Sequence, residues 1–163
     1  MIHHISISAH EPQHVAEVLA ELMGGRCYPF PGGVARSFMA VSGDEHGSMI
    51  EVYPENVALL PGKDDQQQAR ASYDATPGYV PFHLLLSVPV DRATVERIGE
   101  REGWRTRYFG RGAPGQSPVF HVIEFWIENR IMVEVATPDM LAEYTRMIRL
   151  DALDAHFGRQ AAA

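Results

Sequence analysis

Ile2-His3-His4-Ile5-Ser6-Ile7-Ser8 and Phe82-His83-Leu84-Leu85-Leu86-Ser87-Val88 decide how the rest of this 163-residue chain is read. In the first stretch Ile5 and Ile7 alternate with His4, Ser6 and Ser8, the period-two pattern of a strand with one apolar and one polar face. Each stretch leads into a helical segment that stops on a glycine twenty residues after its histidine, Gly24 after His4 and Gly103 after His83. Each half then reaches a strand with a lone acid among apolar neighbours, Met49-Ile50-Glu51-Val52-Tyr53 and Met132-Val133-Glu134-Val135-Ala136. His, Glu, His, Glu at corresponding points of two similar halves predicts a duplicated unit. Two imidazoles and two carboxylates form a donor set suited to a divalent metal ion.

The intervening segments carry the same plan twice. Val15, Val18, Leu19 and Leu22 fall on one face of a helix predicted over 12–23, with Pro12 in its first turn and Gly24-Gly25 at its stop. Strands are expected over 26–30, 35–41 and 48–53, punctuated by Pro31-Gly32-Gly33, Ser42-Gly43-Asp44 and Pro54. In the second half Asp91 caps a helix running to Glu102, with Val95 and Ile98 on its inner face. Strands over 104–109, 119–127 and 131–137 follow, the last two joined by a turn at Asn129. Shifting the halves by 79 positions superposes Arg26 on Arg105, Phe30 on Phe109 and Gly33 on Gly112. Glu51 and Glu134 need four residues more, which fit the Ala113-Pro114-Gly115-Gln116 loop.

The predicted organisation is a first βαβββ module over 1–54, a linker or arm over 55–80, a second module over 81–138 and a C-terminal helical extension over 139–163. The arm is polar at Gly62 to Gln68, with a short helix expected over 66–73. The extension begins as a helix from Met140 to Leu150 and continues as a further turn to Phe157-Gly158.

Fourteen Lys and Arg against twenty-one Asp and Glu give a net charge of −7. With no basic block in the chain, nucleic acid and anionic membrane surfaces are not expected partners. Cys27 is the single cysteine, so neither an intrachain disulfide nor a cysteine-based zinc site is open to it, and a metal would be held by His and carboxylate. No secretory leader and no apolar run of membrane-spanning length is seen, which makes cytoplasmic the expected location.

Two βαβββ copies with His on the first strand and Glu on the last resemble the vicinal oxygen chelate superfamily. That group includes glyoxalase I, methylmalonyl-CoA epimerase, extradiol dioxygenase, fosfomycin-resistance and bleomycin-resistance families. The resemblance covers residues 2–137 and rests on Ile2-His3-His4-Ile5-Ser6-Ile7, on Phe82-His83-Leu84-Leu85-Leu86 and on the spacing of the two acids. It implies an α+β fold in which two βαβββ modules form a half-open mixed β-barrel around a central cleft, the C-terminal helix being an addition. It also implies that His4, Glu51, His83 and Glu134 hold one divalent ion (Zn, Ni, Co, Mn or Fe), with Glu134 as the proton-transferring base and Glu51 as the second catalytic carboxylate. Many members enter the last strand through Asp-Pro-Asp-Gly-Asn, where this chain has Ile127-Glu128-Asn129-Arg130.

Taken singly, each of these residues has an ordinary reading. His4 and His83 share a face with serine and would serve as hydrogen-bonded histidines; Glu51 and Glu134 would face solvent on an amphipathic strand. A carboxylate flanked by apolar residues costs several kcal/mol if buried without a cation or donors, and all four recur at equivalent points. The joint pattern favours the metal reading. His121, Tyr53, Tyr108 and Arg111 are candidates for lining a substrate cleft, as are Phe109 and Trp126; for strand aromatics the ordinary role is packing.

The resemblance then implies a lyase or isomerase in which the metal chelates two neighbouring oxygens of a small-molecule substrate, with a homodimer as the expected assembly. A metal-free binding protein of the bleomycin-resistance kind is the competing class. An extradiol-type dioxygenase would use His4, His83 and Glu134 alone, and the presence of Glu51 argues against it.

Overall fold

The structure, a computed structural model, describes residues 2–30, 34–60, 70–72, 78, 83–112, 117–149 and 152. The chain divides into two compact units, Met1–Pro81 and Phe82–Ala163. Unit one runs β1 (His4–Ala9), α1 (Pro12–Met23), β2 (Arg26–Pro29), β3 (Phe38–Val41), β4 (Met49–Pro54), β5 (Ala58–Leu60) and β6 (Arg70–Ser72). Unit two runs β7 (His83–Ser87), α2 (Arg92–Glu102), β8 (Thr106–Arg111), β9 (Phe120–Ile127), β10 (Ile131–Ala136) and α3 (Pro138–Met147).

Each unit holds one open four-stranded mixed sheet, in the order β1-β4-β3-β2 and β7-β10-β9-β8. The first strand lies parallel to the last, and the remaining pairs are antiparallel. A helix must therefore carry the chain from the first strand to the far edge, and α1 and α2 do so. Both helices end alike. Gly24 and Gly103 sit at φ 67° and 68°, left-handed positions that glycine occupies without a Cβ clash. At its start α2 is capped by Asp91, whose carboxylate accepts from the Thr94 amide at 2.9 Å.

In unit one Val15, Val18, Leu19 and Leu22 are buried, as are Ala40, Ile50 and Val52 on the strands α1 covers. Each such Val, Leu or Ile side chain contributes about 1.5–3 kcal/mol by leaving water. In unit two Val95, Ile98, Phe125, Val133 and Val135 are buried. Gly99 lets α2 approach β8, because a Cβ there would meet the Thr106 hydroxyl at 1.9 Å.

Several boundaries differ from the sequence reading. β3 starts at Phe38 rather than Ala35, because residues 35 and 36 form a turn in which Arg36 takes φ 63°. β8 starts at Thr106 rather than Trp104: the Trp104 amide bonds to the Gly99 carbonyl and the Arg105 amide to Asn129 Oδ1. Glu128 shares the left-handed turn with Asn129, at φ 50° and 54°. α3 begins at Pro138, two residues before the expected start. In the arm, β5 and β6 pair antiparallel, with Ala58 opposite Ser72. Residues 70–72, where a helix over 66–73 was expected, are instead strand β6, held by its pairing with β5. The rest of that span, the Pro31-Gly32-Gly33 turn, the loop over 113–116 and the turn to Phe157-Gly158 lie outside the described residues. Among the described residues no helix is long and apolar enough to cross a membrane.

Candidate metal-binding residues

The register places the four predicted ligands at equivalent points of the two sheets. On β1 and β4, His4 lies opposite Met49 and Ser6 opposite Glu51. On β7 and β10, His83 lies opposite Met132 and Leu85 opposite Glu134. Alternation along a strand then puts the histidine and the acid of each unit on one face, two positions out of step.

Glu51 is buried, at 7% exposure. Its Oε2 accepts hydrogen bonds from Ser6 Oγ at 2.9 Å and the Tyr53 hydroxyl at 3.1 Å. Its Oε1 stands 3.9 Å from His4 Nε2, too far for a hydrogen bond. Among the described residues no Lys or Arg pairs with it. Tyr53 is buried too, and its ring meets Phe30 edge-on at 5.7 Å beside Val34 and Val57. Burial, then the Glu51 charge and the hydrogen bond to it, push the Tyr53 phenol up to about 12.

Unit two solves the same position differently. Glu134 lies opposite Glu124 on the neighbouring antiparallel strand, where Glu51 has Met39. Two like charges face to face destabilise a sheet. Arg111 lies between them: Nη2 donates to Glu124 Oε1 at 2.7 Å, and Nε and Nη2 donate to Glu134 Oε1 at 2.9 and 2.7 Å. Burial works against the guanidinium charge, but the hydrogen bonds to the two carboxylates outweigh it and raise the Arg111 pKa. Burial likewise opposes the Glu124 charge, and the bonds from Arg111 and from Trp126 Nε1 hold its carboxyl below the ordinary value. Glu134 Oε2 accepts no hydrogen bond among the described residues. His83 is exposed and makes no hydrogen bond or ion pair there.

The four cleft candidates separate into three settings. Tyr53 serves Glu51, and Arg111 serves the Glu124–Glu134 pair. Tyr108 and His121 stack on each other at 5.1 Å, with the Arg92 guanidinium 4.0 Å over the Tyr108 ring. His121 is tied to α3, its Nδ1 and its amide each 2.9 Å from Glu143 Oε2. Phe109 is exposed, and Trp126 is spent on Glu124. An open depression of about 660 Å³ in unit two is lined by Glu96, Glu100, Trp104, Arg105 and Arg107, and neither His83 nor Glu134 reaches it.

Glu124 was missed by the sequence reading, although Val122-Ile123-Glu124-Phe125-Trp126 shows the same pattern, an acid between apolar neighbours, that singles out Glu51 and Glu134. Glu143, on a helix with no comparable pattern, carried no such signal.

The donor chemistry of unit one fits a divalent ion. A buried carboxylate with no Lys or Arg partner among the described residues faces an imidazole, and Glu51 Oε1 keeps its lone pairs unspent. In unit two the imidazole is open, while one oxygen of Glu134 is engaged by Arg111. Among the described residues, no group of three or more His, Cys, Asp or Glu side chains gathers as a ready ligand set.

No family model matches the sequence, and no curated protein does. Similar solved structures include the fosfomycin resistance protein FosX from Mesorhizobium loti, at 14% identity and TM-score 0.48, covering 90% of this chain and 98% of that one. An integron cassette protein from the mobile metagenome of V. cholerae has 11% identity and TM-score 0.48, over 85% and 94% of the two chains. The oxidase ChaP-H2 has 14% identity and TM-score 0.45, over 84% and 92%. The fold itself follows from this chain's own strand order. Two βαβββ modules, alike in sheet order and in the register of their histidine and acid strands, make up the α+β fold and repeat the plan that the resemblance to the vicinal oxygen chelate superfamily implies.

Proposed function

We propose that the protein is a divalent-metal-dependent enzyme of the glyoxalase kind, a lyase or isomerase acting on a small molecule with two neighbouring oxygens. His4, Glu51, His83 and Glu134 would hold the ion, the two half-sets coming from one chain or from two in a homodimer. The single observation that carries this reading is Glu51: a buried carboxylate with neutral donors on one oxygen, an imidazole beside the other and, among the described residues, no Lys or Arg partner. Such a charge costs several kcal/mol unless a positive partner arrives. Its repetition in register at Glu134 supports the same conclusion.

When bound, the ion would supply Lewis acidity for an oxyanion formed as a proton leaves the adjacent carbon. The chain's own residues do the rest. Ser6 and Tyr53 orient Glu51. Glu134 Oε2 is the atom open to take the proton, Oε1 being engaged by Arg111.

The Arg111 contact also favours a second reading, a metal-free small-molecule-binding protein. A guanidinium on Glu134 already balances that carboxylate and occupies one of its two oxygens.

Elemental analysis of protein purified without an affinity tag separates the two. The expected result is about one divalent ion per chain, lost in Glu51→Ala and in His4→Ala. A normally folded chain that retains none of Zn, Ni, Co, Mn or Fe after incubation with each overturns the enzyme reading.

A further inference from the structure

We propose that Ser6 and Tyr53 are positioning residues that make Glu51 the fixed carboxylate of the set: they occupy Oε2 and leave Oε1 as the oxygen that binds the ion. The inference rests on the metal-dependent reading above and adds the two hydroxyls that select which oxygen of Glu51 binds. Both hydroxyls donate to the same oxygen, at 2.9 and 3.1 Å, which uses the two lone pairs Oε2 has to offer. Glu51 is therefore directed to bind through one oxygen, and that oxygen is the one turned toward His4, 3.9 Å away.

The clamp is rigid for two reasons. Ser6 stands directly opposite Glu51 in the β1–β4 register, so its reach is set by the sheet. The Tyr53 ring is buried against Phe30, Val34 and Val57, so its hydroxyl has little room to leave.

Unit two lacks both groups. The residue opposite Glu134 is Leu85, and the residue two places beyond Glu134, where Tyr53 stands after Glu51, is Ala136. Neither carries a hydroxyl. Glu134 is held instead by the long, one-third-exposed side chain of Arg111, a partner that can be exchanged. Glu51 is thus the preset ligand and Glu134 the adjustable one.

The test is titration of the full chain with Co2+, read by calorimetry and by the visible absorption of the bound ion, for wild type, Ser6→Ala, Tyr53→Phe, the double variant, Ser6→Thr and Glu51→Gln. Loss of a group that orients a metal ligand costs on the order of 10–100-fold in affinity. The double variant is expected to fall in that range and each single variant by less. Ser6→Thr, which restores a hydroxyl on a strand, should return to the wild-type value. The visible band should change intensity in the double variant, because Oε2 is then free to join the ion and alter its coordination; a merely structural role would leave the band unchanged.

Melting of the metal-free variants identifies any that fail to fold. If Tyr53→Phe is among them, the Ser6→Ala and Ser6→Thr pair decides. Glu51→Gln losing Co2+ while the double variant binds within twofold of wild type overturns this inference and leaves the metal reading standing. Wild type and Glu51→Gln binding Co2+ equally, or neither binding it, overturns both.

Discussion

Arg111 keeps two opposed carboxylates in unit two from repelling each other. Glu124 and Glu134 face each other across antiparallel strands, and their side chains are only 14% and 13% exposed, so water screens them poorly. Arg111 is itself 30% exposed, which places its contribution below that of a fully buried pair. Arg111→Met is expected to lower unfolding stability by about 1–3 kcal/mol, measured by urea denaturation. Adding Glu124→Gln should recover part of that loss, since it removes one of the two like charges. Strictly additive effects would mean that the three groups are not coupled. The three acids Glu51, Glu124 and Glu134 all show in the sequence as charges among apolar residues; their partners do not.

At the scale of elements, close approach and local hydrogen bonding set the limits of change. A Cβ on Gly25 would lie 1.9 Å from the Val41 carbonyl oxygen and 2.8 Å from its carbon. These are backbone atoms of the neighbouring strand and cannot swing away as a side-chain tip could. Gly25→Ala should destabilise the chain by about 1–3 kcal/mol in urea denaturation, through displacement of β2 from β3.

The loop between β3 and β4 depends on Asp44. Its Oδ1 accepts the amides of Ser48 at 2.9 Å and His46 at 3.1 Å. The Ser48 bonds chiefly, with those from Ser42 and His46, hold its pKa down to about 2 against an ordinary 3.8. Because the folded value is the lower one, Asp44 stabilises the fold in full above the ordinary value, and that contribution fades as pH falls toward 2. Carboxyl carbon shifts from NMR should show Asp44 titrating near 2, and Asp44→Asn should remove its share of the acid dependence. Helix limits were well legible here: α1 matches its predicted 12–23 span because proline, periodicity and glycine are local signals. Strand starts were less so. β8 gives up its first two expected residues to a helix cap and to Asn129, contacts the local pattern does not contain.

For the whole molecule, metal binding and stability should be linked. An ion that binds only the folded chain adds about 2.7 kcal/mol at a concentration one hundred times its Kd, which for a chain of this size raises the melting temperature by about 5–10 °C. EDTA should reverse the shift. Glu51→Gln should melt at one temperature with or without metal, measured by scanning calorimetry. A wild-type melting temperature indifferent to EDTA and to added Zn or Co would favour the metal-free binding reading.

The sequence by itself determined the duplication, the order of elements in each module and the positions of His4, Glu51, His83 and Glu134, because apolar period, caps and turns act within a few residues of chain. The tertiary structure alone decided what each acid touches. Ser6 meets Glu51 across 45 residues and Arg111 meets Glu134 across 23, contacts that exist only once strand register is set. Two acids that look equivalent along the chain thus acquire different chemistry, one held by two hydroxyls and the other by a guanidinium, because a sheet brings different neighbours to the same register position.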